Sequence, residues 1–68
     1  MPVLVINGTR TEYGAAEFPA TGAELLSRLG LEPRHVVAEV DGAVVPRAAF
    51  ATYALRDGQQ IELVQFVG

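Results

Sequence analysis

QQIELVQFVG, residues 59–68, alternates with the period of a β-strand. Ile61, Leu63, Gln65 and Val67 share one side; Glu62, Val64 and Phe66 share the other. Glu62 is charged, which assigns its side to solvent and the side of Ile61 and Leu63 to a core. Val64 and Phe66 then point outward beside the C-terminus. Ends of soluble domains are usually polar and frayed. An apolar strand that runs to a final glycine, Gly68, therefore suggests that the tail itself is used.

The strand needs neighbours. Arg56-Asp57-Gly58 just before it is a turn signal. At the other end of the chain, PVLVIN (2–7) is a second β-branched apolar run. It ends in Asn7-Gly8, the strongest short hairpin signal, because both positions accept positive φ. The return strand is expected over 9–15, loosely alternating as an edge strand does. The first and last strands are the most apolar, and runs apolar on both faces suggest central, parallel strands. Thr21 followed by Glu24 is a capping box. It predicts a helix over 22–29 with Leu25, Leu26 and Leu29 on one face, closed by Gly30 and barred by Pro33. RHVVAEVDG (34–42) predicts a strand with Val36, Ala38 and Val40 on one face and Val37, Glu39 and Asp41 on the other. Asp41-Gly42 turns into a short strand, AVVP (43–46), stopped by Pro46. Residues 47–55 read equally as a helical turn or an irregular strand, with Phe50 and Tyr53 packed beneath. The order is hairpin, helix, then two or three strands. It predicts an α+β fold; a mixed four- to five-stranded sheet with one main helix packed across it matches the β-grasp or ubiquitin-like architecture, a topology that rests in part on the resemblance given below.

Sixty-eight residues allow one domain, 1–68, with one small core. A domain of this size buries only about 60% of the surface its unfolded chain exposes. Half the residues are hydrophobic, which favours a packed core over disorder. The chain has no cysteine, which removes disulfides, thiolate nucleophiles and zinc-thiolate sites and fits a cytoplasmic protein. Net charge is −3, and the five basic residues, all arginine, are scattered from Arg10 to Arg56. No basic stripe forms, so nucleic acid is not an expected partner. No apolar run approaches a membrane span, and MPVLVING lacks the features of a signal peptide. His35 is a lone histidine without the companions of a metal site. Glu39 and Asp41 read as solvated charge rather than acid–base machinery. Arg47 reads as a solvated charge that could also meet an acidic partner surface. No phosphate loop or hydrolase motif is present.

Gly68, taken alone, reads most simply as the place where the sequence stops, but its chemistry allows a second reading. Its α-carboxylate, with an ordinary pKa of about 3.5, is ionised at neutral pH. The missing side chain lets the backbone enter a narrow active site. Attack of that carboxylate on the α-phosphate of ATP makes an acyl-adenylate. A sulfur nucleophile can then displace AMP and leave a thiocarboxylate. The carrier supplies the carboxylate, and a partner supplies positioning and charge stabilisation.

VLVING (3–8), AELLSRLGL (23–31), VVAEVDGAVVPR (36–47) and LRDGQQIELVQFVG (55–68) together resemble the ThiS family, the small sulfur carriers of thiamin (thiazole) biosynthesis. The resemblance covers nearly the whole chain in register. It implies a β-grasp fold and a protein co-substrate rather than an enzyme, with no cofactor bound and ATP used by the activating enzyme. It implies that Gly68 is adenylated by a ThiF-type enzyme and then thiocarboxylated, with sulfur supplied by a donor such as a cysteine desulfurase. Delivery is to the thiazole synthase ThiG. Val64, Phe66 and Val67 are the candidate partner-binding residues. The family ends in Gly-Gly, whereas this chain has Val67-Gly68. Two other readings stay open: a MoaD-type small subunit of molybdopterin synthase, and a ubiquitin-like interaction module without tail chemistry.

Overall fold

The computed structural model describes residues 1–66. Strand β1 (Val3–Ile6) turns through Asn7 and Gly8, at φ 48° and 81°, into β2 (Thr9–Glu12). Asparagine and glycine are the residues that tolerate this left-handed pair, and the twist it imposes matches that of an antiparallel ribbon. The pairing runs from Val3 opposite Glu12 to Ile6 opposite Thr9. β2 is shorter than the expected 9–15. The Tyr13 N–H still reaches the Pro2 carbonyl, but a 3-10 turn over Ala15–Glu17 then takes the chain off the sheet.

Helix α1 (Gly22–Leu29) begins as its sequence requires. The Thr21 hydroxyl accepts the Glu24 N–H at 3.3 Å. Such a cap satisfies one of the donors that every helix start leaves free, and is worth about 1 kcal/mol. Arg28 pairs with Glu24 one turn away at 3.1 Å and also bonds the Glu17 carbonyl. The helix closes where the Gly30 N–H meets the Leu26 and Ser27 carbonyls and the Leu31 N–H meets Leu26. Leu25 and Leu26 are buried, but Leu29 is 44% exposed, against expectation. The reversal at Gly30 brings Leu31 back against the core instead.

Strand β3 (Val36–Val40) is preceded by a 3-10 turn over Pro33–His35, so it starts two residues later than the predicted 34. Proline at the head of that turn fixes φ and holds the chain out of the ladder. β3 turns at Asp41-Gly42 into β4 (Ala43–Val45). Helix α2 (Arg47–Ala51) settles the ambiguous segment as a helical turn, with Phe50 buried and its ring stacked on Tyr53 at 6.5 Å. Strand β5 (Gln60–Gln65) then enters between β1 and β3. The sheet order is β2-β1-β5-β3-β4, with β1 and β5 parallel and the other neighbours antiparallel. The main helix covers one face, and Leu4, Leu25, Ile61 and Leu63 lie in the core between them. This is the expected β-grasp architecture, with five strands.

One close approach fixes α1 against α2. A Cβ at Gly22 would stand 2.1 Å from the Phe50 carbonyl oxygen and 2.7 Å from its ring. The Gly22 N–H bonds the Tyr53 carbonyl, and Leu55 N–H bonds that of Ala20. The segment after α2 is thereby stitched to the start of α1, and it delivers the chain to β5.

Candidate functional site

The candidate site is the C-terminal end of β5. Two rails hold this strand. On one side β3 runs antiparallel, from Val40 opposite Ile61 to Val36 opposite Gln65. The Phe66 N–H continues that rail to the His35 carbonyl at 2.9 Å. On the other side β1 runs parallel but shorter, with Val5 beside Gln60 and Ile6 beside Ile61. From Val64 onward the described residues place no strand on the β1 side.

Alternation along β5 separates the faces as its sequence predicts. Ile61 and Leu63 are buried, while Val64 is 56% and Phe66 41% exposed. Val64 lies directly opposite Val37 of β3, itself 41% exposed. Val37 was not singled out as a docking residue from sequence. Its signal was its parity opposite Val36, Ala38 and Val40. Val44 of β4 adds a fourth exposed apolar side chain on the same face, opposite Glu39. Solvent-exposed apolar side chains grouped on one face of a small domain mark a contact surface. Gln65 shares the parity of Ile61 yet is exposed, because the core layer ends at Leu63 in this strand.

One row along, Glu39 of β3 lies opposite Glu62 of β5. Neither carboxylate makes an ion pair among the described residues; Arg10 pairs with Glu12, and Arg28 with Glu24. Like charges directly opposite one another across a ladder repel. The outer face at this end is therefore apolar and acidic. Among the described residues no three of His, Asp and Glu come together to hold a metal ion. No helix among them is long and apolar enough to cross a membrane. His35 is half-buried at the foot of β3 and contributes its carbonyl, not its ring, to the β5 rail. The candidate residues Val67 and Gly68 lie outside the described residues.

Asn7 is the residue whose role the sequence concealed. Its side chain reaches β5, where Oδ1 accepts the Leu63 N–H at 2.7 Å and Nδ2 donates to the Leu63 carbonyl at 3.2 Å. Asn-Gly announced the turn; nothing local announced a contact 56 residues away.

Comparison with known proteins agrees with this geometry. The model of the ThiS family matches residues 3–68. The crystal structure of a thiamine biosynthesis protein (ThiS) from Geobacter metallireducens has a TM-score of 0.79 at 33% identity, covering 97% of this chain and 96% of that one. The solution structure of a thiamine biosynthesis protein from the same organism has a TM-score of 0.73 at 33% identity, covering 100% and 86%. A thiazole synthase of Paramagnetospirillum magneticum is 37% identical over 65 residues, which are 96% of this chain but 19% of that protein. The chain thus spans about a fifth of that relative's length. Sheet order, the position of the main helix and a match along almost the whole sequence agree, and the chain belongs to the ThiS family.

Proposed function

We propose that this chain is a sulfur carrier of thiamin biosynthesis, a protein co-substrate whose Gly68 carboxylate is the cargo-bearing group. The observation that carries the reading is the family match through residue 68 on a fold whose last described strand, Gln60–Gln65, ends three residues before that glycine in the sequence. A ThiF-type enzyme adenylates the carboxylate: one carboxylate oxygen bonds the α-phosphorus of ATP and pyrophosphate leaves. Hydrosulfide then adds at the carbonyl carbon and expels AMP, giving the thiocarboxylate; when the sulfur comes as the persulfide of a donor such as a cysteine desulfurase, the acyl disulfide that forms is cleaved by a thiol, which leaves as a disulfide. In this reading acid–base and metal chemistry falls to the partner enzyme rather than to the carrier. Its contribution is to dock and to present the tail, so that the partner meets an oriented nucleophile.

Val64 and Phe66 form the docking surface in this reading, Val37 extends it across β3, and Val67 remains a candidate from the sequence alone. Similarity to a segment of a thiazole synthase supports a ThiG-type enzyme, rather than molybdopterin synthase, as acceptor.

Intact mass spectrometry tests the proposal. After incubation with a ThiF-type enzyme, ATP and a sulfur source, the chain should gain the mass difference between one sulfur and one oxygen. The same spectrum reads whether a further glycine follows Gly68. A mass that stays at the carboxylate form with an enzyme active on its own carrier would refute the carrier reading and leave a β-grasp binding module.

A further inference from the structure

We infer that Asn7 is a positioning residue for the tail: its side chain, not a strand, completes the β1 rail and fixes Leu63, the last residue of β5 held on both sides. The inference rests on the carrier reading and adds to it the residue that aims the carboxylate.

The backbone bonds between β1 and β5 advance two residues at a time. The Val5 N–H meets the Gln59 carbonyl at 3.0 Å, and the Asn7 N–H meets that of Ile61 at 2.9 Å. Leu63 is next in the series. β1 cannot supply its partner, because the chain turns away at Asn7 and Gly8. The Asn7 carboxamide supplies it instead. It carries one acceptor and one donor in a plane, as a peptide group does, and it makes both bonds to Leu63. Two demands meet at this position. The backbone needs a residue that tolerates a φ of 48°, and β5 needs a donor and an acceptor together. Glycine meets the first demand only. Aspartate tolerates the turn and can accept the Leu63 N–H, but it sets a carboxylate oxygen against the Leu63 carbonyl. Asparagine meets both.

The consequence lies at the tail. Beyond Leu63 the strand has β3 alone beside it among the described residues. β3 continues to hold the strand through Phe66, so the Asn7 bonds at Leu63 are the last that hold it from the β1 side among the described residues. The lateral position of Leu63 therefore sets where the Gly68 carboxylate can meet the α-phosphorus. Misplacing a reacting group by about 1 Å can cost about a hundredfold in rate.

The test is pyrophosphate release from ATP by a ThiF-type enzyme, with the carrier varied to saturation, for the wild-type chain, Asn7→Gly and Asn7→Asp. Exchange of the Leu63 amide is followed by NMR in each. A purely structural role would lower the folded fraction, raising the apparent KM for carrier and leaving kcat at saturation unchanged. The positioning role predicts faster Leu63 exchange and a fall in kcat of about tenfold, with KM changed less than about threefold. Should Asn7→Gly not fold, Asn7→Asp keeps the turn and the acceptor and carries the test. A kcat within about twofold of wild type in the folded variants overturns the inference and leaves the carrier reading intact. Absence of pyrophosphate release from the wild-type chain overturns both.

Discussion

Replacing Phe66 by alanine tests the docking face, and its effect can be worked from the structure. Phe66 is 41% exposed at the end of β5, on the face away from the helix. A phenylalanine buries on the order of 150–250 Å² when fully covered. The part still open to a partner is then roughly 60–100 Å². At about 25 cal/mol per Å², covering it contributes about 1.5–2.5 kcal/mol to docking. Loss of that term weakens affinity by roughly 10- to 70-fold, since every 1.4 kcal/mol is a factor of ten. Val37 and Val64 remain in place, so the variant should still bind. Calorimetric titration of wild-type and Phe66→Ala chains into a ThiF-type enzyme measures the difference. Thermal unfolding of the variant alone provides the control, because the covered part of Phe66 also supports the fold. A fully folded variant that binds within about threefold of wild type would refute the face assignment. A larger loss with a less negative heat capacity of binding would confirm that apolar area is what was removed.

Gly22→Ala should destabilise the fold: crowding Phe50 costs about 1–3 kcal/mol against about 0.5–1 kcal/mol gained in helix propensity. The net cost of up to about 2.5 kcal/mol should lower the melting temperature by up to roughly 10–20 °C; a melting temperature above that of wild type would mean that α1 and α2 give way freely to the added methyl group. Thr21→Ala removes the acceptor for the Glu24 N–H and should cost about 1 kcal/mol, read from urea unfolding at unchanged slope. Glu62→Gln relieves the repulsion with Glu39 and should raise stability by about 0.2–1 kcal/mol at low salt, with the gain shrinking as salt is added. A gain that ignores salt, or a loss, would show that the two carboxylates do not sense each other. Gly68→Ala should leave the melt unchanged while slowing thiocarboxylate formation about tenfold or more, because a methyl group obstructs close approach of the tail; an unaltered yield by intact mass would count against the tail chemistry.

The features legible in the sequence are those that local chemistry determines. Asn7-Gly8 can only turn one way, Thr21 and Glu24 mark a helix start, and the alternation of Val36, Ala38 and Val40 separates two faces without reference to any other segment. The misreadings lie where a second element decides. Leu29 has the spacing of a core leucine, but Gly30 reverses the chain and Leu31 packs against the core instead. Arg34 and His35 look like the start of a strand, yet Pro33 nucleates a 3-10 turn ahead of it. Residues 47–55 carry no decisive period because α2 is a single turn whose stability comes from burying Phe50 against α1. At the candidate site, the outward direction of Val64 and Phe66 follows from parity alone. The company of Val37 required the β3–β5 register, and the Asn7–Leu63 pair required the whole crossover to close.

Strand order sets how firmly the end of β5 is held, which matters if the carrier proposal holds. The last strand to appear in the sequence occupies the middle of the sheet, between β1 and β3. A chain that ends on an edge strand is held on one side and frays from its end. Here β5 is held on both sides up to Leu63 and on one side to Phe66. Pulling residues 60–63 out would break ladders on both sides and expose Ile61 and Leu63. Local opening of that part therefore approaches the free energy of global unfolding. The strand's base is as stable as the domain, while its outer face keeps Val64 and Phe66 uncovered. The exposed portions of those side chains add little to the isolated fold, and the facing Glu39 and Glu62 oppose it. Rigidity below and uncompensated surface above are what a partner needs to take up a tail in one orientation, because the entropy of ordering the base is already spent in folding.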